Sequence, residues 1–266
     1  MFVIAQISDL HIGLPGSRVD ERYRTAEHLE RAVAHLNALE PRPDVVVATG
    51  DLVDVGTAEE YARLRAMLAP LAMPVHLVPG NHDDREALRA AFPERLPAAG
   101  FLHYAVDDHP VRLLALDTHV PGAPGGMICD ERARWLAERL AEQPERPTVI
   151  FMHHPPFRTG MQAMDGMGLE GAERVERAVA PYGNVERLLC GHLHRPIVRR
   201  FADTIASTCP ATAHQLALDL ASAGKVATVM GTPACQLHVW FGPEDGLVTH
   251  TSYIGVETPP RVVIGG

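Results

Sequence analysis

Short runs of apolar residues alternate with longer amphipathic stretches along the first part of the chain. The runs Phe2–Ile7, 45–48 and Val75–Val78 are short, apolar and rich in β-branched residues, which is typical of buried parallel strands. Between the first two runs, residues 22–39 carry apolar side chains at three- and four-residue spacings and predict an amphipathic helix. A capping-box pattern predicts a second helix over 57–68. The opening order is therefore β-α-β-α-β.

The alternation continues with less regular spacing toward the end of the chain. Residues 102–106 and 111–116 predict an antiparallel pair of strands. Asp130 is expected to cap a helix over 130–141. Beyond Ile197 short strands dominate, and the stretch 222–233, rich in Gly, Ala and Thr, predicts a loop. The remaining predicted elements are helices at Arg85–Ala91 and 173–180 and strands at Thr148–Met152 and 187–190.

Polar side chains follow five of these strands at the point where each strand ends. A β-α-β-α-β order implies parallel strands joined by right-handed crossovers, and ligands of such sheets gather at the carboxyl ends of the strands. The polar residues are therefore expected to form one cluster. They are Asp9 and His11, then Asp51, then Asn81, His82 and Asp83, then His153 and His154, and finally His192 and His194.

The chemistry of this cluster indicates bound metal. Imidazole nitrogens, carboxylates and one amide oxygen, without thiolates, suit Zn, Mn, Fe or Co better than Ca or a structural cysteine-type zinc site. The candidates are too numerous for one ion. Two ions about 3.5–4 Å apart that share a carboxylate stabilise both the attacking and the leaving oxygen of an in-line displacement. Glycines before Asp51, Asn81 and His192 are expected to let the backbone turn sharply there.

Composition narrows the class of protein. The chain has 266 residues, enough for one large α/β domain, and a formal net charge of −9, which argues against a nucleic-acid-binding surface. Lys225 is the only lysine, and its surroundings do not match a P-loop. The four cysteines form no CxxC pair, and residues 1–8 resemble neither a signal peptide nor a membrane span. These features predict a cytoplasmic protein with reduced thiols, which does not bind a membrane.

Other catalytic schemes explain the sequence less well. There is no GxSxG nucleophile elbow. A carboxylate pair for glycoside hydrolysis is compatible with the spacing but leaves the histidines without a role.

The motifs Asp9-x-His11, Gly50-Asp51, 80–83 (Gly-Asn-His-Asp), His153 and 191–194 (Gly-His-Leu-His) together resemble the signature of the calcineurin-like metallophosphoesterases. The likeness covers about residues 1–200. Within that superfamily the sequence is most similar to the bacterial class III cyclic nucleotide phosphodiesterases and the related glycerophosphodiesterases. The narrower match rests on residues 80–84, 151–156 and 190–194, and it extends to His214 and Gln215.

The resemblance implies a four-layer αββα sandwich, in which two mixed β-sheets are flanked by helices. It also implies two metal sites: Asp9, His11 and His194 hold one ion, Asn81, His153 and His192 hold the other, and Asp51 bridges them. A metal-bridging hydroxide would attack phosphorus. His82 would contact the phosphate or protonate the leaving oxygen, and Asp83 would orient His82. Asn81, His82 and His214 would contact the substrate.

Other polar positions have less certain roles in the sequence alone. Asp54 is best explained as a surface residue, and Asp117 fits an anchor behind the site and a loop cap equally well. His154 is expected to support the site or pack against Pro155 rather than bind metal. The glycine-rich stretch 122–126 is expected to be a flexible loop at the pocket rim.

The sequence therefore predicts a metal-dependent phosphoric diester hydrolase with a small-molecule substrate, for which a 3′,5′-cyclic nucleotide such as cyclic AMP ranks first and a glycerophosphodiester second. A phosphomonoesterase or protein phosphatase with the same metals is an alternative, and a catalytically inactive scaffold of the same fold is the non-enzyme alternative. We expect one domain overall, with a metallophosphoesterase core at 1–205 and C-terminal strands at 206–266 that complete the sandwich and present a loop to substrate or partner. The resemblance also allows a homodimer or higher homo-oligomer.

Overall fold

Successive side chains of a buried strand point to opposite faces of its sheet, and each face packs against a different layer of the fold. The computed structural model describes residues 1–221 and 225–255. In the strand Val45–Thr49, Val45 and Val47 pack into a cluster between two sheets, whereas Val46 and Ala48 pack into a cluster with helices. Because neighbouring residues of a strand point to opposite faces, an unbroken apolar run is needed where both faces are covered.

Five strands form the first sheet. Its central strands run parallel, and the two strands at one edge run antiparallel to their neighbours. The order is β15 (Leu247–Tyr253), β14 (Ala234–Trp240), β1 (Phe2–Ile7), β2 (Val45–Thr49) and β3 (Val75–Val78).

Six strands form the second sheet, which is parallel except at its two edges. The order is β10 (Ile197–Phe201), β11 (Thr204–Thr208), β9 (Val185–Cys190), β7 (Thr148–Met152), β5 (Arg112–Leu116) and β4 (Tyr104–Val106). Two short pairs lie outside both sheets: β6 (Gly126–Met127) with β8 (Leu169–Glu170), and β12 (Gln215–Leu216) with β13 (Thr228–Val229).

Helices cover the outer face of each sheet. The helices are α1 (Arg18–Tyr23), α2 (Thr25–Ala38), α3 (Ala58–Leu68), α4 (Arg85–Ala91), α5 (Asp130–Glu142), α6 (Gln162–Asp165) and α7 (Ala172–Val179). One apolar cluster joins α2, α3 and α4 to the first sheet, and another joins α5 and α7 to the second. A third cluster, which includes Ile4 and Phe151, fills the space between the sheets. The predicted αββα sandwich is thus confirmed.

Several local predictions differ from the structure. The helix predicted over 22–39 is two helices, because Arg24 adopts a left-handed conformation with φ of 51° that ends α1 before α2 begins. The N-cap of α5 is Cys129, and Asp130 is its first residue. Within the predicted loop 222–233, the described residues include β13, whose Thr228 and Val229 pair with β12. Residues 222–224 lie outside the described residues.

No helix in the described ranges 1–221 and 225–255 is long and apolar enough to cross a membrane.

A histidine between strands makes the stability of the fold depend on pH. His238 on β14 is fully buried, and its ring nitrogens lie 2.8 Å from Thr249 Oγ1 and 3.1 Å from Gln6 Oε1. Burial, together with Arg187, lowers its pKa to about 3. As the pH falls below about 6.5, the unfolded chain therefore binds a proton that the folded chain does not, and stability is lost progressively down to the folded-state pKa.

We expect the free energy of unfolding of the unchanged protein to fall by about 2 kcal/mol more between pH 7 and pH 5 than that of a His238→Gln variant. Urea denaturation at the two pH values measures this difference. His250→Gln, at an exposed position on the neighbouring β15, is the control and should keep the full pH dependence. The expectation is wrong if the His238→Gln variant and the unchanged protein lose the same free energy.

Candidate metal centre and active-site pocket

The loops that follow five strands meet at one end of the two sheets. Backbone hydrogen bonds join them directly: Asp9 N donates to Gly50 O at 3.1 Å, and His11 N donates to Asp51 O at 2.9 Å. Across the sheets, Gly191 N donates to His153 O at 3.0 Å. The loops of both sheets therefore form one hydrogen-bonded unit, and the polar cluster expected from the strand ends exists.

The backbone is strained at the predicted metal ligands. Seven non-glycine residues have positive φ in the described part of the chain, and five of them are predicted ligands. A left-handed conformation is unfavourable for residues with a Cβ, and such strain gathers where the position of a side chain matters for function. The five are Asp9 (φ 52°), His11 (φ 44°), Asp51 (φ 48°), His192 (φ 69°) and His194 (φ 46°).

A first group of donor atoms surrounds one point. His11 Nε2 lies 3.2 Å from His194 Nε2 and 3.6 Å from Asp51 Oδ2, and His194 Nε2 lies 3.5 Å from Asp9 Oδ1. Ligands bound to one transition metal at about 2.0–2.2 Å stand about 3.0–3.5 Å from each other. In addition, Asp9 Oδ2 is buried without a hydrogen-bond partner in the described structure. This donor set and spacing fit a metal ion.

A second group shares Asp51 with the first. His153 Nε2 lies 3.4 Å from Asp51 Oδ1 and 3.2 Å from Asn81 Oδ1. His153 Nδ1 lies 2.8 Å from Thr49 O and donates its proton there, so Nε2 is the nitrogen that faces Asp51 and Asn81. The two carboxylate oxygens of Asp51 thus face different histidines, which is the arrangement that a bridging ligand requires.

The other histidines of the cluster are oriented by backbone carbonyls. His194 Nδ1 lies 3.0 Å from His214 O, and His192 Nε2 lies 3.1 Å from Met167 O. Each ring therefore donates one proton to a carbonyl oxygen, and the other nitrogen of His194, Nε2, faces His11 and Asp9. His154 differs, because both of its ring nitrogens are engaged, at 2.8 Å from Thr118 Oγ1 and 3.3 Å from Pro124 O. It supports the wall of the site.

Burial and neighbouring charges set the protonation of the candidate ligands. Burial would raise the pKa of Asp51, but the rings of His153, His11 and His82 hold it well below its usual value. Burial and the neighbouring His153 lower the pKa of His192 to about 3, so this imidazole is neutral at pH 7. Burial alone would lower the pKa of His153, and the carboxylates of Asp51 and Asp9 raise it to about 9. The buried carboxylates thus attract positive charge to the centre.

The glycines at the strand ends serve the site in two ways. Gly50 has φ of 88°, as expected for a sharp turn. Gly80 and Gly191 do not have positive φ, which differs from the prediction; their role is to leave room. A Cβ on Gly80 would overlap Asp51, and one on Gly191 would overlap Ser8.

Asp83 holds the loops rather than the ring of His82. Its buried carboxylate accepts hydrogen bonds from Gly80 N at 2.8 Å, Leu52 N at 3.1 Å and Tyr61 Oη at 2.9 Å. Burial, with a contribution from Asp51, raises its pKa to about 6. The predicted contact with His82 is therefore corrected: Asp83 ties the second motif to the third through their backbones.

Asp54 takes the place expected for Asp83. Its carbonyl oxygen lies 2.8 Å from His82 Nδ1, and its carboxylate lies 3.9 Å from that nitrogen and 3.8 Å from His11 Nδ1. Asp54 was interpreted as a surface residue, but its side chain is 29% exposed and lines the pocket beside His11 and His82. Asp117, in turn, is an anchor: it is fully buried and holds Arg85 at 2.8 Å.

A pocket of about 420 Å³ opens onto the two metal groups. His82, Asn81 and His214, which were predicted to contact the substrate, line this pocket. Of two further walls, the first was not predicted, whereas the second includes Pro124 of the stretch 122–126 that was expected at the pocket rim. The first comes from α1, and the second is apolar. The α1 wall consists of Arg18, Val19, Arg22 and Tyr23, and the apolar wall consists of Pro124, Met164, Met167, Leu216 and Val226.

His214 and Tyr23 connect the α1 wall to the metal groups. The ring of Tyr23 stacks on that of His214 at a centroid distance of 3.9 Å, and the ring of His214 lies 4.7 Å from that of His194. Burial and the neighbouring His194 lower the pKa of His214 to about 2, so the ring is neutral. Sequence periodicity did not indicate Tyr23, because it lies in the region predicted as one continuous helix.

The fold and this cluster together define a class of metal-dependent phosphoesterases. The profile of the family described as calcineurin-like phosphoesterase matches residues 2–196. The chain belongs to this family, whose members use a dinuclear metal site. The prediction of an enzyme of this class is thereby confirmed.

Relatives and solved structures agree with this assignment. The chain is 37% identical over 256 residues to a probable glycerophosphodiester phosphodiesterase, GpdQ, of Arcobacter nitrofigilis, with 95% of this chain and 93% of that protein covered. It is 31% identical over 215 residues to the 3′,5′-cyclic adenosine monophosphate phosphodiesterase CpdA of Pseudomonas aeruginosa, with 81% of this chain and 78% of that protein covered. A dimetal phosphatase from Danio rerio shares the fold, with a TM-score of 0.65, 15% identity, and coverage of 96% of this chain and 99% of that one.

Proposed function

We propose that this protein hydrolyses a small phosphodiester at a dinuclear metal centre. In this proposal Asp9, His11 and His194 hold one ion and Asn81, His153 and His192 hold the other. Asp51 bridges them. The observation that carries the proposal is the position of Asp51, whose two oxygens lie within 3.6 Å of His11 and 3.4 Å of His153. Transition-metal ions held there would supply Lewis-acid stabilisation of the negative charge that develops on the phosphoryl oxygens.

His82 is the proposed acid. Its Nδ1 is held at 2.8 Å from the carbonyl of Asp54, so Nε2 is the nitrogen left for the substrate. Its side chain is 41% exposed and lines the pocket, where a leaving oxygen can reach it. As an imidazolium, His82 would give the proton on Nε2 to that oxygen as the P–O bond breaks, which keeps an alkoxide from leaving unprotonated and returns the ring to its neutral form. Asn81 and His214 complete the polar surface around the phosphate.

Among substrates, the glycerophosphodiester is favoured over the cyclic nucleotide that ranked first from the motifs. The reason is that the similarity to the probable glycerophosphodiester phosphodiesterase extends over 95% of this chain. That range includes the segment that supplies His214 and Leu216 to the pocket. The second candidate, a 3′,5′-cyclic nucleotide, is favoured by the apolar wall with Met164 and Met167, since thioethers make good contacts with planar rings.

Initial rates on three substrates test the proposal. The protein is purified without chelator and reconstituted with Mn²⁺. It is then assayed on sn-glycero-3-phosphoethanolamine, cyclic AMP and glycerol 3-phosphate. We expect the glycerophosphodiester to have the highest kcat/KM and the monoester the lowest. A preference for cyclic AMP would select the second candidate, and a preference for the monoester would overturn the diester assignment. Two bound metals without turnover would identify an inactive scaffold.

A further inference from the structure

Two arginines of α1 face the active-site pocket without an acidic partner. Arg18 and Arg22 are four residues apart, so they lie on one face of the helix, and both line the pocket. Neither guanidinium forms an ion pair in the described part of the chain. The acidic neighbour Asp20 is engaged by Arg63 at 3.3 Å. Like charges at this spacing destabilise a helix, so the pair is unfavourable unless an anion comes between them.

The position of α1 is held by contacts that do not involve these charges. Tyr23 Oη lies 2.9 Å from Thr228 Oγ1 of β13, and its ring stacks on His214. The guanidinium carbon of Arg22 lies over the ring of Tyr23, 5.2 Å from the ring centre. The helix is therefore tied to the pocket wall while both guanidinium groups stay open to the pocket.

Part of the pocket wall separates Arg22 from the candidate metal ligands. The rings of Tyr23 and His214 lie between Arg22 and the ring of His194. A phosphate at the metal groups is thus separated from Arg22 by two aromatic rings. The scissile phosphate already faces two ions and His82 in the proposed function, and the protein as a whole carries a net charge of −9. Two unpaired arginines in the pocket of a protein with this negative net charge are suited to bind a second negative group on the substrate.

We propose that Arg18 and Arg22 select phosphodiesters that carry a second anionic group, a carboxylate or a phosphate, on the part of the substrate that lies against α1. The inference rests on the proposed function. A guanidinium binds either group through charge-assisted hydrogen bonds, and two guanidinium groups on one helix face can hold it from two sides. The arginines are specificity-determining residues and take no part in the chemical step.

Two matched pairs of substrates test this inference. sn-Glycero-3-phosphoserine differs from sn-glycero-3-phosphoethanolamine by one carboxylate, and the dinucleotide pApA differs from ApA by one terminal phosphate. We expect kcat/KM to be higher for the more anionic member of at least one pair. In an Arg18→Gln/Arg22→Gln variant that advantage should fall about tenfold, the effect of losing one charge-assisted hydrogen bond. The two pairs also distinguish a carboxylate from a phosphate.

The control variant is Arg31→Gln/Arg42→Gln, which removes two positive charges at exposed positions outside the pocket. In this control, the ratio of kcat/KM between the two members of each substrate pair should be the same as in the unchanged protein. If both members of each pair lose the same factor in the Arg18→Gln/Arg22→Gln variant, or if neither pair shows a charge preference, the inference is overturned while the proposed function stands. If the unchanged protein hydrolyses none of the four diesters, the proposed function fails and the inference fails with it.

Discussion

An Asp51→Asn variant is expected to lose about 1,000-fold or more in kcat/KM while it remains folded. The carboxylate of Asp51 is the only group whose oxygens face both His11 and His153 in the described structure. A metal ion contributes several kcal/mol of transition-state stabilisation, and about 4 kcal/mol corresponds to 1,000-fold. Asparagine has nearly the same shape, and its oxygen can still accept the hydrogen bond from His82 N, which lies at 2.9 Å.

Metal analysis and steady-state kinetics on the same preparation check this prediction. We expect the variant to bind fewer than two ions per chain after Mn²⁺ reconstitution. The matched control is Asp44→Asn, at the opposite end of the same strand, where Asp44 Oδ2 accepts a hydrogen bond from Val3 N at 2.7 Å. This control should retain both ions and its activity. A variant Asp51→Asn with two ions and near-normal rate would show that the two sites do not share this carboxylate.

Replacement of His82 by alanine is expected to lower kcat by about 100- to 10,000-fold without loss of metal, the usual range for a general acid. The ring is part of the pocket but not of the two donor groups described around Asp51. Its side chain is 41% exposed, so its removal leaves no large cavity. The loss should be greatest for diesters with an alkoxide leaving group, because these depend most on protonation, and smallest for bis(p-nitrophenyl) phosphate.

A series of leaving groups separates this role from simple substrate binding. If His82 only binds the phosphate, the His82→Ala variant loses the same factor with every leaving group. If it is the acid, the loss shrinks as the leaving group becomes more acidic. His250→Ala, at an exposed strand position, is the control and should match the unchanged protein throughout. Unchanged kinetics with alkoxide leaving groups would remove His82 from the reaction.

The order of the main strands and helices and most members of the polar cluster followed from the sequence alone. A strand that is buried on both faces appears in the sequence as a continuous apolar run, and a residue at its end appears as the first polar residue after that run. Both patterns can be read from neighbouring residues in the chain. The seven predicted ligands all lie at the meeting point of the loops for this reason. The left-handed backbone of five of them had no such signature, since it is stabilised by contacts from other loops rather than by residue type.

Contacts between distant segments decided the rest. The carboxylate of Asp83 accepts a hydrogen bond from the backbone of Gly80, and the backbone carbonyl of Asp54 binds the ring of His82. Only the folded chain shows which donors each of these oxygens meets. The break at Arg24 also depends on packing: the periodic pattern continues through it, and the turn that places α1 at the pocket is a tertiary feature. The sequence by itself determined the fold class and the chemistry of the centre. The tertiary structure decided the walls of the pocket, because segments as far apart in the chain as Arg18 and Val226 line it together.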